Sequence, residues 1–273
     1  MSEYDHQLGL VGVGNMGTGL IRGVIEAEII SGQQVVFYDP DPERHKTVGA
    51  LLGHPVADSN RQVVESAQIV VVAVKPQVIA SVLTPLEPVF RDDQLVVSIA
   101  AGIKLARLAQ LCGSRPALIR VMPNILCTIG EGAAAYSSDE KVSAQQREFV
   151  EALFGAVGTI VPVEECLLDA VTGVSGSGPA FVALFIEALV DGAVAAGLPR
   201  EAAVQLAAQT TRGAAQWVLE GRGAGELREA VTSPGGTTAA GLRALEQKGL
   251  RNAAIEAVIA AARRSQELGQ EAL

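Results

Sequence analysis

The fold of this chain is decided by residues 8–17, which read LGLVGVGNMG. Residues 8–13 form a short apolar run that ends in glycines, which predicts a buried strand. Residues 16–30 carry apolar side chains at helical spacing, which predicts a helix. Between the two lies the pattern G-x-G-x-x-G, made by Gly12, Gly14 and Gly17. In this strand–turn–helix context, the pattern predicts a dinucleotide-binding loop.

Each glycine of the pattern has a distinct physical role. Gly12 permits the tight turn, Gly14 lets the backbone approach a pyrophosphate, and Gly17 lets the helix pack close to the strand. The helix begins at Asn15 and Met16, whose free backbone N–H groups would hold the pyrophosphate. The alternative is a tight strand–helix turn with no ligand. Because this strand is the first in the chain, we favour the cofactor site over a turn with no ligand.

Strand and helix patterns continue to alternate up to about residue 125. Residues 69–74 are nearly all β-branched, as expected for a strand that is covered on both faces. This alternation predicts an α/β fold with an open parallel sheet and helices on both faces. We assign residues 1–165 to a Rossmann-type dinucleotide-binding domain. The further predicted strands are residues 35–38, 95–99 and 117–121, and residues 43–52 are predicted to be a helix.

The pattern changes near residue 165. From there Ala, Leu, Val and Glu dominate, interrupted by Gly and Pro, and no segment has a strand pattern. We therefore predict an all-α second domain of about five helices over residues 166–273. Residues 180–186, AFVALFI, are apolar on every face, so such a helix must be buried. A domain of this size has little interior, which favours a homodimer interface over a monomer core.

Two further segments of the first domain point to the cofactor. Asp39 ends the second predicted strand, where a carboxylate accepts a hydrogen bond from the adenosine ribose 2′-OH. This favours NADH, although the nearby Arg44 can pair with the 2′-phosphate of NADPH, and Asp39 can also be a plain cap. Residues 73–76 (Ala73, Val74, Lys75 and Pro76) end a later strand, where the nicotinamide side is expected. A backbone role there is favoured over a catalytic Lys75.

Composition excludes several classes of function. The net charge of −9 and pI near 4.9 argue against a nucleic acid or an anionic membrane as partner. The N-terminus is polar, and Gly or charge interrupts the apolar stretches, so neither a signal peptide nor a membrane span is expected. The three cysteines lack C-x-x-C spacing. We expect no disulfide framework, no metal site and a cytoplasmic location.

Residues 231–238, VTSPGGTT, are the most informative segment of the second domain. Pro234 and the two glycines after it disfavour a helix, and helical spacing resumes beyond them. We predict a loop that becomes a helix at about Thr237, with hydroxyls and free N–H groups at its start. That arrangement is an anion site without a cationic side chain. An ordinary capped helix start is the alternative.

The usual proton donors of nicotinamide enzymes are scarce here. His6, His45 and His54 all lie in the first domain, and none falls on a predicted strand end. Lys248 is the only lysine of the second domain, in an apparent turn, and no Tyr-x-x-x-Lys pair occurs. Oxidation of an alcohol needs a positioned acid or base. Reduction of a protonated cyclic imine does not, because hydride can add once the substrate is positioned.

Taken together, these motifs resemble the pyrroline-5-carboxylate reductase family over nearly the whole chain. The resemblance implies NADPH- or NADH-dependent reduction of 1-pyrroline-5-carboxylate to L-proline. It also implies a Rossmann domain followed by a helical domain, and homodimers, often assembled into decamers, whose active sites use both subunits. It rests on residues 12–17, 73–76, 98–102, 120–124, 174–179 and 231–238.

The resemblance also implies roles for individual residues. Thr238 is the predicted catalytic residue, facing the ring nitrogen. The other predicted substrate residues hold the carboxylate or line the cleft, and Asn124 is predicted to contact the cofactor. Two positions depart from the family: Ala230 replaces an Asn of some members, and Glu220 is only an approximate counterpart of an acidic residue. The predicted substrate residues are Met122, Ser175, Val231, Ser233, Gly236, Thr237 and Thr238.

Two other functions are compatible with the residues alone. A β-hydroxyacid dehydrogenase has a similar domain plan but needs a catalytic lysine on a C-terminal helix, for which Lys248 is a poor candidate. A non-catalytic dinucleotide sensor would keep Gly12, Gly14 and Gly17 but would have no use for residues 233–238.

Overall fold

The computed structural model describes residues 7–53 and 57–271. Its first part is a seven-stranded sheet with the order β2-β1-β3-β4-β5-β6-β7. The first five strands are parallel, β6 is antiparallel to β5, and β7 is parallel to β6. The strands are β1 Leu8–Val11, β2 Val35–Tyr38, β3 Ile69–Val72, β4 Leu95–Ser98, β5 Ala117–Met122, β6 Gly132–Ser138 and β7 Gly158–Pro162.

Helices cover both faces of the sheet, as predicted for a Rossmann-type domain. Alternate residues of β3 belong to different cores: Val71 packs with helices on one face of the sheet, and Val70 packs with helices on the other face. Every residue of β3 is therefore buried, which explains its β-branched composition. The helices are α1 Asn15–Glu26, α2 Pro42–Leu52, α3 Asn60–Ser66, α4 Ile79–Leu83, α5 Leu105–Cys112 and α6 Ala144–Gly155.

One helix and the last two strands differ from the expectations. α1 ends at Glu26 rather than near residue 30, because Glu28 takes a left-handed conformation with φ of 58°. β6 was not predicted, because its sequence GAAAYSS contains neither β-branched residues nor alternating polarity. β7, which pairs with β6, was not predicted as a strand either.

After β7 the described chain contains only helical elements and connections, which confirms the predicted all-α character. The short α7 precedes five longer helices. These helices are α7 Leu168–Val171, α8 Gly178–Ala195, α9 Arg200–Leu219, α10 Ala224–Ala230, α11 Thr237–Gln247 and α12 Leu250–Glu271.

The chain divides into two compact units. One comprises residues 1–177 together with residues 260–273, and the other comprises residues 178–259. α12 thus contributes to both units. The predicted domain boundary at 165/166 is drawn from composition, whereas this division follows spatial contacts.

α8 exposes most of its apolar surface in the single chain. Val190 is its one buried residue, whereas Leu184 is 67% exposed. Within the described residues, 165–195 is the one run long and apolar enough to cross a membrane by length and composition. This finding corrects the expectation that glycine interrupts every such stretch. The backbone stays helical through Gly173 and Gly176, because residues 172–176 form a π-helical turn.

Candidate functional site

The loop between β1 and α1 requires its glycines. Gly12 has φ of 86°, and its N–H donates to the Tyr38 carbonyl at 2.9 Å. A Cβ at Gly12 would lie 2.9 Å from Val74 Cγ1, and one at Gly17 would lie 3.0 Å from the Gly12 carbonyl oxygen. Both the tight turn and the close helix–strand approach are therefore confirmed.

The start of α1 is open to a ligand. Gly14 is the N-cap in an extended conformation, and no side chain caps the first turn. The N–H groups of this turn are the ones that bind phosphate at a helix N-terminus. A Cβ at Gly14 would lie 2.8 Å from Arg44 Nη1. The backbone can approach a ligand here because Gly14 carries no side chain.

A cavity of about 690 Å³ opens beside this loop. It brings together most of the predicted cofactor residues from the ends of β1, β2 and β3. Gly17 lies behind the loop, and Pro76 and Asn124 are outside the lining. The predicted cofactor residues that line the cavity are Gly12, Gly14, Asn15, Met16, Asp39, Ala73, Val74 and Lys75.

The carboxylate of Asp39 is held by the backbone on two sides. Oδ2 accepts the Val13 N–H at 2.9 Å, and Oδ1 accepts the Asp41 N–H at 3.0 Å. Asp39 is only 7% exposed yet lines the cavity. The glycine loop and the end of β2 therefore orient the carboxylate before any ligand binds.

Asn60, at the start of α3, is a cavity residue that the sequence motifs do not predict. Its Oδ1 is buried without a hydrogen-bond partner among the described residues, and Asn60 lines the same cavity. A buried acceptor without a partner is costly unless a ligand or water satisfies it. Its position directly after Ser59, the N-cap of α3, is the only sequence signal. With the glycine cradle and Asp39, this acceptor fits a dinucleotide.

Met122, Asn124 and Ser175 come together at the end of β5. Asn124 Nδ2 donates to the Ser175 carbonyl at 3.0 Å, and Oδ1 accepts the N–H groups of Leu126 and Ala133, both at 3.2 Å. A Cβ at Gly176 would lie 2.9 Å from Met122 Cε. Asn124 thus fixes the π-helical turn of residues 172–176 against β5. Such turns are frequent at functional sites.

The segment 231–238 has the predicted loop-to-helix form. Gly235 has φ of 69°, the Gly236 N–H donates to the Ser233 carbonyl at 3.0 Å, and α11 begins at Thr237. A side chain at Gly236 would overlap Ser233 Oγ. No side chain caps the first turn of α11, so the N–H groups of this turn are open. Ser233 in the loop and Thr238 in the first turn provide hydroxyl groups.

Among the described residues, neither His45 nor Lys248 is placed as a general acid. The His45 ring contacts the Asp39 carbonyl and packs edge-on against Phe37 and Tyr38, which is a structural role. Lys248 is the exposed C-cap of α11, as its predicted turn implied. His6 and His54 lie outside the described residues. The part of the chain that the structure describes contains no group of three potential metal ligands.

Family models match both halves of the chain. Residues 165–268 match the model for pyrroline-5-carboxylate reductase dimerisation. Residues 7–102 match a model described as NADP oxidoreductase, coenzyme F420-dependent.

Full-length relatives extend these matches. Pyrroline-5-carboxylate reductase of Methanosarcina acetivorans is 43% identical over 98% of this chain and 99% of its own length. The Escherichia coli enzyme of that name is 37% identical over 97% of this chain and 99% of its own length.

Solved structures of pyrroline-5-carboxylate reductases are similar to this chain over nearly its whole length. A pyrroline-5-carboxylate reductase from Coxiella burnetii has a TM-score of 0.92 at 32% identity, covering 97% of this chain and 99% of its own. The Plasmodium falciparum enzyme, solved with NADP bound, has a TM-score of 0.86 at 33% identity, with coverages of 97% and 98%.

Proposed function

This chain belongs to the pyrroline-5-carboxylate reductase family, and from that premise we propose how its own residues perform the reaction. The protein is an oxidoreductase that reduces 1-pyrroline-5-carboxylate to proline with NADPH or NADH. A full-length match at 43% identity favours this activity over the β-hydroxyacid dehydrogenase and the non-catalytic sensor.

We propose that the first unit binds the cofactor along the β1–α1 loop. The uncapped N–H groups of Asn15 and Met16 hold the pyrophosphate, and Asp39 and Asn60 face the adenosine ribose and its surroundings. Residues 73–76 and Asn124 set the nicotinamide side through backbone placement. The bound cofactor supplies a hydride. The geometry that supports this assignment is the cavity, which all of these residues except Pro76 and Asn124 line together.

We propose that the second unit supplies the substrate site through residues 231–238. The N–H groups at the start of α11, with Ser233 and Thr237, hold the substrate carboxylate, and Thr238 faces the ring nitrogen. The substrate is the protonated imine, so its carbon accepts the hydride and the C=N bond becomes the C–N bond of proline. No proton donor is needed in the hydride step. Open N–H groups also avoid placing a cation beside the positive ring nitrogen.

We propose that Met122, Val231 and Ser175 complete the cleft that receives the substrate. The Asn124 side chain holds the Ser175 carbonyl, Met122 lies next to Gly176 of the same turn, and Val231 is exposed directly before the loop. Their role is to exclude water and orient the ring, since positioning supplies most of the rate enhancement when no acid or base is required.

The protein is a homo-oligomer, consistent with its dimerisation domain. We propose a dimer as the smallest active unit, with sites built from both subunits, and a decamer as the complete assembly. Apolar side chains remain exposed on α9 and α12 as well as on α8, among them Leu219 at 74% and Ile255 at 51%. This surface supports contacts between copies of the chain. We place the protein in the cytoplasm, which suits its free cysteines.

The decisive experiment is a direct assay. Purified protein is mixed with 1-pyrroline-5-carboxylate and either NADH or NADPH, and absorbance at 340 nm is followed while proline is quantified. We expect proline to appear in step with the loss of absorbance. Absence of turnover with both cofactors overturns the proposed function.

A further inference from the structure

The two cofactors differ only in the phosphate on the adenosine ribose. A binding site for that 2′-phosphate needs cationic groups or hydrogen-bond donors that are free to pair with it. A site for the 2′-OH instead suits a carboxylate acceptor. The groups at the end of β2 therefore decide which cofactor is bound more tightly.

In this chain the end of β2 presents a fixed carboxylate. Both oxygens of Asp39 accept backbone N–H groups, at 2.9 Å from Val13 and 3.0 Å from Asp41. Because the Val13 N–H belongs to the glycine loop, the carboxylate cannot turn away without disturbing the cofactor cradle. Asp39 is also nearly buried, so water screens its charge poorly.

Among the described residues, Arg44 is the one cation at this end of the cavity lining, and it already faces two carboxylates. Arg44 Nη1 lies 3.6 Å from Asp39 Oδ2, and Arg44 Nε lies 3.4 Å from Asp41 Oδ2. Lys75, the other cation among the lining residues, follows β3. The Asp39–Asp41–Arg44 group therefore carries a net charge of −1 (two carboxylates and one guanidinium). A 2′-phosphate placed there adds repulsion and must compete for Arg44.

We propose that this protein prefers NADH to NADPH, with Asp39 as the residue that sets the preference and Asp41 as the residue that keeps Arg44 from a 2′-phosphate. The relative solved with NADP bound is only 33% identical, which leaves room for a different preference. The inference rests on the proposed cofactor site but not on turnover, so it is tested by binding.

The test measures Kd for NADH and NADPH by isothermal titration calorimetry at fixed ionic strength, without substrate. We expect NADH to bind at least about 10-fold more tightly, which corresponds to about 1.4 kcal/mol. Asp41→Asn keeps a good N-cap for α2 and should improve NADPH binding selectively. Asp39→Asn should reduce the ratio of the NADPH Kd to the NADH Kd further, because it removes the carboxylate that we place closest to the adenosine ribose. Asp92→Asn, an exposed site outside the cavity lining, is the matched control.

The Arg44→Ala variant distinguishes this proposal from the alternative that Arg44 binds the 2′-phosphate of NADPH. If Arg44 is committed to the two carboxylates, its loss does not selectively weaken NADPH binding. Equal or tighter binding of NADPH by the wild type, or a selective loss of NADPH affinity in Arg44→Ala, overturns the proposal. Failure to bind either cofactor contradicts the cofactor site itself. Binding without turnover contradicts only the proposed function.

Discussion

At the residue scale, Gly12 connects the ends of three strands. Its N–H donates to the Tyr38 carbonyl of β2, and a Cβ at this position would lie 3.1 Å from the Ala73 carbonyl oxygen, just beyond β3. It combines a positive φ with a lack of space for a Cβ, so no other residue satisfies both conditions. The sequence predicts this glycine from its motif. Asn60 has no motif and is found only through its buried side-chain oxygen, which has no hydrogen-bond partner in the part of the chain that the structure describes.

Thr238 is the residue on which the proposed chemistry depends most. Thr238→Ala removes a hydroxyl that we place against the ring nitrogen and leaves the fold of α11 intact, because alanine is a good helix former. We expect kcat/KM to fall by roughly 10–1000-fold, the range for losing one or two hydrogen bonds to a charged substrate. Steady-state kinetics with saturating cofactor measure it. Thr84→Ala, at an exposed site, is the control, and wild-type kinetics in Thr238→Ala refute the assignment.

At the element scale, the first five strands, which are mutually parallel, were predictable, whereas β6 and β7 were not. β3 and β4 are buried on both faces and consist almost entirely of apolar residues. β6 is recognisable only in three dimensions, where Ala134 and Ala135 fit between neighbouring strands. The loop of residues 231–238 was predictable because Pro and Gly determine its backbone. The π-helical turn was not, because it depends on the distant side chain of Asn124.

Tyr136 links β6 to α6 and gives that contact a pH dependence. Its hydroxyl donates to Glu151 Oε1 at 2.6 Å, and burial, with the carboxylate adding to it, raises the pKa of Tyr136 to about 12. The unfolded pKa is about 10, so the stabilisation is complete below pH 10 and is lost as pH rises from about 10 to about 12.

The Tyr136→Phe variant tests that dependence. It should lose roughly 1 kcal/mol at neutral pH, when the hydrogen bond to Glu151 is removed. Above pH 10 its free energy of unfolding should fall less steeply than that of the wild type. Urea unfolding at several pH values between 8 and 12 measures both slopes. Parallel slopes for the two proteins contradict the linkage.

At the scale of the whole molecule, the second unit cannot bury its own apolar surface. α8 leaves Leu184 and Phe185 exposed at 67% and 37%, and soluble monomers rarely keep large apolar patches in water. The sequence predicted this surface from the composition of residues 180–186. It could not predict which residues pair across the interface, because that depends on the arrangement of two copies.

A charge on α8 should therefore separate the subunits. Leu184→Glu places a carboxylate in the expected interface, and we expect sedimentation velocity to show a smaller species than the wild type. Leu51→Glu, a similar change at a 38% exposed site on α2, should leave the assembly unchanged. Because the proposed active site uses both subunits, reductase activity should fall with the loss of oligomer. Retention of the wild-type assembly in Leu184→Glu contradicts the role of α8.

The division of α12 between the two units has a consequence for synthesis of the chain. Ser265 Oγ donates to Asp169 Oδ1 at 2.6 Å, and Gly269 packs against Gly102, so the last turns of α12 complete the unit that contains the first strand. A ribosome releases the chain from its N-terminus onward at about 5–20 residues per second. The nucleotide-binding unit is therefore complete only after the last codons are translated. A premature stop near the 3′ end of the message removes residues that this unit needs, although most of the unit is synthesised first.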